Sequence, residues 1–491
     1  MAAARSRPWV LWTTLVAVVV IRLLEMRSGA APDEGGFLVV ASQWHSGGTT
    51  LYGHYWVDRP PVLITIFGLA HVLGGLLALR LLGILAAVLT LWFLHSTVRR
   101  LYGERPAAWA AVVAGALLVS PLYGAVDVNG ELFALVFVSL GIRLAVEAVH
   151  AEDNAISRGA AVGAGAAAVL AVLTKQNIAD VAIFAAAAWL VGWRTGQLTG
   201  RRLVSLISYA AVGAVVSYAV VMLWALAHGT SPYQVYEATY PFRVKAGAVI
   251  AEDARAESGA RLSGLVRAFA GSLVPVLLVA FAAFAVRRGK DVVVLAGLAA
   301  LLAYGTFSVL AGGSYWLHYL LETVPAVVIA TGALASAAPK VVRPVAALVA
   351  LSGVVAAIAV MFNPTPTPGY IVGQAIAKVA APGDTIVTAF GDPNMLLAAH
   401  MSSPYPYLWS LPARVRDPHL DVLDRVIAGP AAPDWFVVRD ARTRARLRHL
   451  GVLTTLESRY RVVGVVCGHD IYLRDDDQRA QPFSPAGAVC S

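Results

Sequence analysis

Apolar runs long enough to cross a bilayer recur along this chain, and they constrain its fold more than any other feature. A span needs about 20 predominantly apolar residues. Such runs fall near 9–24, 77–98, 106–121, 131–148, 160–174, 178–193, 203–227, 264–286, 291–311, 316–334 and 343–361 of the 491 residues. Hydrophobic residues make up 58% of the chain and charged residues only 14%, with mean hydropathy +0.69. Soluble domains carry about 25% charged residues. The expected class is an α-helical polytopic membrane protein with about 11 transmembrane helices. No small-residue cleavage site follows the first run, "WVLWTTLVAVVVIRLL", so it reads as a retained first helix.

The net charge of +9 is first a signal of orientation. Arg and Lys cluster in "AAARSRP", "VRRLYGERP", "WRTGQLTGRR", "VRRGKD" and "PKVVRP". The positive-inside bias puts these in the cytoplasm, together with the N-terminus. The loop that follows the first run, "APDEGGF" (31–37), then lies outside. Between it and "VRRLYGERP" an odd number of crossings is required. The segment "PPVLITIFGLAHVLGG" (60–75) would spoil that parity and is short for a span. It reads as an interfacial or partly inserted helix, with Arg80 near the outer surface. Loops 121–131, 174–177, 228–263 and 312–319 then face outside, as does everything after 361. The expected location is a multi-pass plasma-membrane protein. Basic residues are not interleaved with aromatics in a stripe, so nucleic acid is not an expected partner.

The chain divides by composition into a membrane domain, 1–361, and a C-terminal extracytoplasmic α/β domain, 362–491. The second opens with the Pro-rich linker "NPTPTPGY". "YIVGQAIAKVAA" and "ARTRARLRHL" look helical, "TIVTAF" and "DWFVVRD" like strands, and "YRVVGVVCGHDIYLR" like a hairpin. The glycine spacing of "FGDPN" does not fit a dinucleotide fingerprint. The two cysteines, Cys467 and Cys490, are either free thiols or a disulfide that an extracytoplasmic tail would permit.

Unusual polar residues gather in the outer loops. The first holds Asp33, Glu34, His45, His54, Asp58 and Arg59, and the second Asp127, Asn129 and Glu131. Lys175 and Gln176 follow, then Tyr236, Glu237, Tyr240, Arg243 and Lys245, then Tyr315, His318 and Tyr319. Taken singly, each reads as a solvated loop charge. Asp33 has the further alternative of capping the helix after it. Lys175 interrupts an apolar stretch, where a charge marks a site or a helix boundary. Taken together, the set suits sugar transfer from a lipid phosphate. A carboxylate can take the proton of an incoming hydroxyl, and cations with Tyr hydroxyls can hold a phosphate. The sugar carbon would gain oxocarbenium character. A monophosphate leaving group needs less help from a metal than a diphosphate does.

The order and spacing of these residues resemble the GT-C superfamily of membrane glycosyltransferases. The nearer likeness is to the bacterial branch related to protein O-mannosyltransferases and the lipid A aminoarabinose transferase. "PDEGGFLVVASQWHSGGTTLYGHYWVDRPPVLITIFGLA" is similar to the family's first outer loop, and "RLLGILAAVLTLWFLHSTVRRLYGERPAAWAAVVAGALLVSP" to its next two spans. "VDVNGELFALVF" matches the second acidic site, "LTKQN" a Lys-Gln pair, and "HYLLETVPAVV" a His-Tyr-to-Pro stretch. The resemblance covers about residues 9–361. It implies a GT-C-like bundle and an inverting transfer from a polyprenyl-phosphate sugar. Asp33 would be the general base, Glu34 its support, and Asp127, with Glu131, the second acidic site. Where the family branch has Lys before Pro-Pro this chain has Arg59, which keeps the charge and adds a bidentate fork. Lys175, Arg243 and His318 would also meet the phosphate, and His54, Gln176, Tyr240 and Tyr319 complete the expected substrate-binding set. No cofactor is required, although a divalent cation such as Mg is compatible with the chemistry. The implied partners are the lipid bilayer, the polyprenyl-phosphate donor and a glycan, lipoglycan or protein acceptor.

Richness in Ala, Val, Arg and Gly points to a high-GC bacterium such as an actinobacterium, with arabinose or mannose as the expected donor sugar and a cell-wall acceptor. Two other classes compete, a transporter or lipid flippase and a non-enzymatic envelope scaffold. A transporter gathers its polar residues near the midplane on broken helices and is often built from repeats. Here they gather at one mouth and no internal repeat is visible.

Overall fold

The computed structural model describes residues 8–45, 49–253, 255–285, 291–477 and 490. The basic N-terminal residues 1–7, and residues 286–290 of the basic stretch "VRRGKD", lie outside the described residues.

The helices follow the apolar runs. In chain order they are α1 (Pro8–Glu25), α2 (Pro32–Gln43), α3 (Pro61–Gly74), α4 (Leu76–Tyr102), α5 (Glu104–Leu118), α6 (Gly130–His150), α7 (Asn154–Thr174), α8 (Asp180–Arg194) and α9 (Gly200–Ala227). Then come α10 (Pro232–Thr239), α11 (Pro241–Asp253), α12 (Arg255–Gly271), α13 (Val274–Phe284) and α14 (Val292–Ala311). A 3-10 turn at Leu317–Thr323 leads into α15 (Val324–Ala337), and α16 (Pro339–Phe362) ends the apolar part. By length and composition, seven segments among the described residues can cross a membrane: α4, α6, α7, α9, α14, Leu317–Ala337 and α16. Glu257–Gly271 with α13, bent by 59°, would make an eighth. The other expected spans form α1, α5 and α8, of 18, 15 and 15 residues. The segment 60–75 forms α3, a 14-residue apolar helix.

The chain folds as two compact units. The first takes Met1–Met26, Arg80–Leu223 and Ala254–Asn363, and the second Arg27–Leu79, Trp224–Asp253 and Pro364–Ser491. In the first, capping sets the helix starts. Asn129 Oδ1 accepts from the Leu132 amide at 3.0 Å and begins α6, and Asp153 Oδ1 accepts from Ala155 at 2.6 Å and begins α7. Small residues then let helices touch. A side chain at Gly165 of α7 would collide with the Ala210 carbonyl of α9, and one at Gly213 of α9 with the Val162 carbonyl of α7. Close backbone approach at small residues is how helices associate where lipid removes the hydrophobic drive.

The second unit is built around a four-stranded sheet of β1 (Ile386–Thr388), β2 (Trp435–Val438), β3 (Tyr460–Val466) and β4 (His469–Arg474), in the order β1-β2-β4-β3. β1 and β2 are parallel, with Val387 opposite Phe436; the other pairs are antiparallel, with Phe436 opposite Tyr472. Parallel pairing demands a crossover, and short helices supply it: α17 (Pro368–Ala377) precedes β1, then α18 (Asn394–Ala399), α19 (Ser410–Arg416) and α20 (Asp421–Ala428) lie between β1 and β2. α21 (Ala441–His449) and α22 (Val452–Glu457) follow β2. Buried Phe390, Tyr405, Phe436, Tyr460 and Tyr472 fill the core between sheet and helices. Cys467 and Gly468 both have positive φ, 49° and 74°, as a two-residue hairpin turn requires. Of the two states open to the cysteines the structure shows the disulfide, Cys467–Cys490. A second cluster of Trp56, Ala238, Phe242 and Ala246 fastens the loops of this unit to the tail, with Arg416 over the Trp56 ring at 4.8 Å.

Candidate functional site

Two constellations of the expected residues form, one within each unit.

In the second unit the acidic pair opens α2. Pro32 takes the first helical position, where its missing N–H costs nothing. Asp33 and Glu34 then lie in the first turn, at the positive end of the helix dipole. Glu34 is buried and its Oε2 accepts the Ala31 amide at 3.0 Å, so Glu34 satisfies the helix start. Asp33 does something else: its Oδ1 accepts the indole N–H of Trp409 at 3.0 Å. The Trp409 ring packs on Phe37, one turn further along α2, with centroids 5.1 Å apart. Phe37 carries the Arg59 guanidinium on its other contact, with Cζ 5.4 Å from the ring centroid. Arg59 Nη1 donates to Asp58 Oδ1 at 2.6 Å, and Arg243 Nε lies 3.2 Å from Asp58 Oδ2. One carboxylate thus faces two guanidiniums, leaving one net positive charge. Tyr52 hydroxyl donates to the Arg59 carbonyl at 3.1 Å, and burial, helped by the Asp58 charge, pushes its pKa up so that it stays a donor. Asp33, Phe37, Arg59, Asp58 and Arg243 are thereby linked contact by contact, through a tryptophan from the tail.

In the first unit Glu131, in the first turn of α6, meets Lys175, the residue that ends α7. Lys175 Nζ lies 2.9 Å from Glu131 Oε1, with side chains only 5% and 2% exposed. His318 Nε2 lies 3.8 Å from the same oxygen. Tyr319 packs its ring edge-on to His318 at 5.2 Å and receives Lys175 over its face at 5.5 Å. The expected residues Glu131, Lys175, His318 and Tyr319 therefore form one buried group, beside Gln176, the half-buried neighbour of Lys175.

Of the other expected residues, Asp127 lies in the first unit, and His54 and Tyr240 lie in the second. Asp127 is exposed in the turn before α6, within electrostatic range of Glu25. His54 donates from Nε2 to the Ser403 carbonyl at 3.0 Å and packs on Tyr55, which makes it a tie between loop and tail. Tyr240 is exposed at the end of α10, its ring 6.0 Å from that of Tyr236.

Three residues emerge that the sequence reading did not single out. Trp409 is one. Glu322 and Asp180 are the others: both are buried, and Glu322 Oε2 accepts from Asn177 at 3.1 Å and from the Ser308 hydroxyl at 2.9 Å. The signal for both was present, since each is an isolated carboxylate within an apolar stretch. Among the described residues no group of three or more His, Cys, Asp or Glu is arranged to hold a metal ion.

Residues 58–224 match the family model described as dolichyl-phosphate-mannose-protein mannosyltransferase. No curated protein sequence matches the chain significantly. Among solved structures, ArnT from Cupriavidus metallidurans bound to undecaprenyl phosphate aligns with TM-score 0.63 at 18% identity, covering 96% of this chain and 98% of that one. Its apo state gives 0.62 at 16%, covering 95% and 97%. The oligosaccharyltransferase of Archaeoglobus fulgidus, in complex with Zn and sulfate, gives 0.56 at 13%, covering 91% and 71%. The chain has the fold of the GT-C superfamily of membrane glycosyltransferases and, within it, resembles ArnT and the protein mannosyltransferases.

Proposed function

We propose that this protein is an integral-membrane glycosyltransferase that moves a sugar from a polyprenyl-phosphate donor to an acceptor hydroxyl on the outer side of the membrane. One observation carries the reading: a carboxylate, Asp33, and a guanidinium pair with net positive charge, Arg59 and Arg243, are assembled on the same loop-and-tail scaffold. The family match and the structural likeness to an undecaprenyl-phosphate-bound protein support the donor class.

The acceptor O–H gives its proton to Asp33 as its oxygen bonds to the anomeric carbon. The bond from that carbon to the phosphate oxygen breaks, and the electron pair leaves on the lipid phosphate. Arg59 and Arg243 stabilise the charge that develops there. A single displacement of this kind inverts the anomeric centre. The guanidinium fork suits phosphate geometry and supplies charge that a cation such as Mg would otherwise bring, so no cofactor is assigned. Lys175 and His318, with Glu131 and Asp127 as the second acidic site, are assigned to donor and acceptor binding. The C-terminal domain, 362–491, is assigned to the extracytoplasmic side, in keeping with its disulfide.

The test is a panel. Purified full-length protein in lipid is incubated with polyprenyl-phosphate mannose, arabinose and other sugars. A cell-wall glycan, a lipoglycan and a Ser/Thr-rich peptide serve as acceptors. Mass spectrometry is expected to find one glycosylated acceptor and free polyprenyl phosphate. No transfer from any donor would overturn the reading.

A further inference from the structure

The proposed base does not hold its position from its own helix. A carboxylate in a first turn ordinarily turns back to a backbone N–H of that turn. In α2 that place is filled by Glu34, which accepts the Ala31 amide. Asp33 instead reaches a donor 376 residues away in sequence, the indole of Trp409.

The local packing is shaped to bring that indole in. Gly35 and Gly36 follow the acidic pair and carry no Cβ where the tail packs against α2. A Cβ on Gly35 would lie 2.5 Å from Asn394 Cα, and one on Gly36 would run into the Trp409 ring and lie 2.7 Å from Pro393 Cγ. Both contacts come from the tail, from the segment that starts α18 and from the residue ahead of α19. Asn394 Nδ2 also donates to the Ala30 carbonyl at 2.7 Å, at the mouth of α2. The tail thus grips α2 on either side of Asp33. Phe37 then fixes the tilt of the indole by packing against it. An indole has one N–H and accepts nothing. It therefore occupies Oδ1 and leaves proton transfer to Oδ2.

We infer that Trp409 is a positioning residue for Asp33, so that the C-terminal domain completes the catalytic centre. The inference rests on the reading of Asp33 as the base. It concerns how that base is aimed, and it makes the tail a working part of the transferase.

The experiment uses the full chain with the donor and acceptor found by the panel, and compares Asp33→Asn, Trp409→Phe and the double variant. Phenylalanine keeps a ring against Phe37 and removes only the N–H. Trp409→Phe is expected to lower kcat by roughly tenfold to a hundredfold with KM for both substrates unchanged, the pattern of an interaction made in the transition state. The double variant is expected to match Asp33→Asn within about twofold, because residues acting as one unit are not additive. Gly36→Ala should reproduce the kcat loss by pushing the indole aside without touching a hydrogen-bonding atom. Unchanged kcat in Trp409→Phe while Asp33→Asn is dead overturns the inference and leaves the base reading standing. So does a further loss in the double variant, which marks a purely structural tryptophan. Normal transfer by Asp33→Asn removes the base reading, and the inference falls with it.

Discussion

Lys175 and Glu131 face each other at 2.9 Å with almost no exposure, in a setting where an unmatched charge is costly. Breaking a buried pair leaves the other charge uncompensated at a cost of about 3–5 kcal/mol, whereas removing both is much cheaper. Lys175→Met and Glu131→Gln are each expected to lower thermal stability in detergent strongly, and the double change to recover most of the loss. A single change that melts like the unaltered protein would mean that Lys175 reaches water. At this scale the sequence showed which residue types were out of place, but not who meets whom. Lys175 stood out because it breaks an apolar run. Trp409 did not, because one tryptophan in an α/β tail looks like core, and its partner is 376 residues away. The sequence offers Asp33 as a cap or as a base; in the structure Glu34 takes the Ala31 amide and Asp33 Oδ1 accepts the Trp409 indole N–H.

The elements themselves were more legible, since they follow from periods and breakers. Pro32 with the acids of the first turn marks the start of α2, and the Lys175 break separates α7 from α8. The tail's strands and hairpin lie where the alternation placed them, and a Cys-Gly turn joins β3 to β4. Contacts between elements were not legible. α7 and α9 touch through Gly165 and Gly213, and glycines in apolar helices are too common to single out these two. The bend of 59° between Glu257–Gly271 and α13 depends on Leu273, held at φ 59°, which no local pattern announces.

For the whole molecule, the proposed transfer to an outer acceptor requires loops 27–79 and 224–253 and the tail to lie outside the cell. Tyr233, 73% exposed in that set, gives a direct check of orientation. In a variant with Cys467 and Cys490 replaced, Tyr233→Cys is expected to react with a membrane-impermeant maleimide in intact cells. Reaction only after permeabilisation would invert the topology. The most direct measurement of the account as a whole is transfer by the full chain and by Asp33→Asn, side by side, from the polyprenyl-phosphate sugar that the panel identifies. General base catalysis is worth about 10²–10⁴-fold, so Asp33→Asn should lose at least that much of kcat with donor binding intact. Transfer at the unaltered rate would contradict the account.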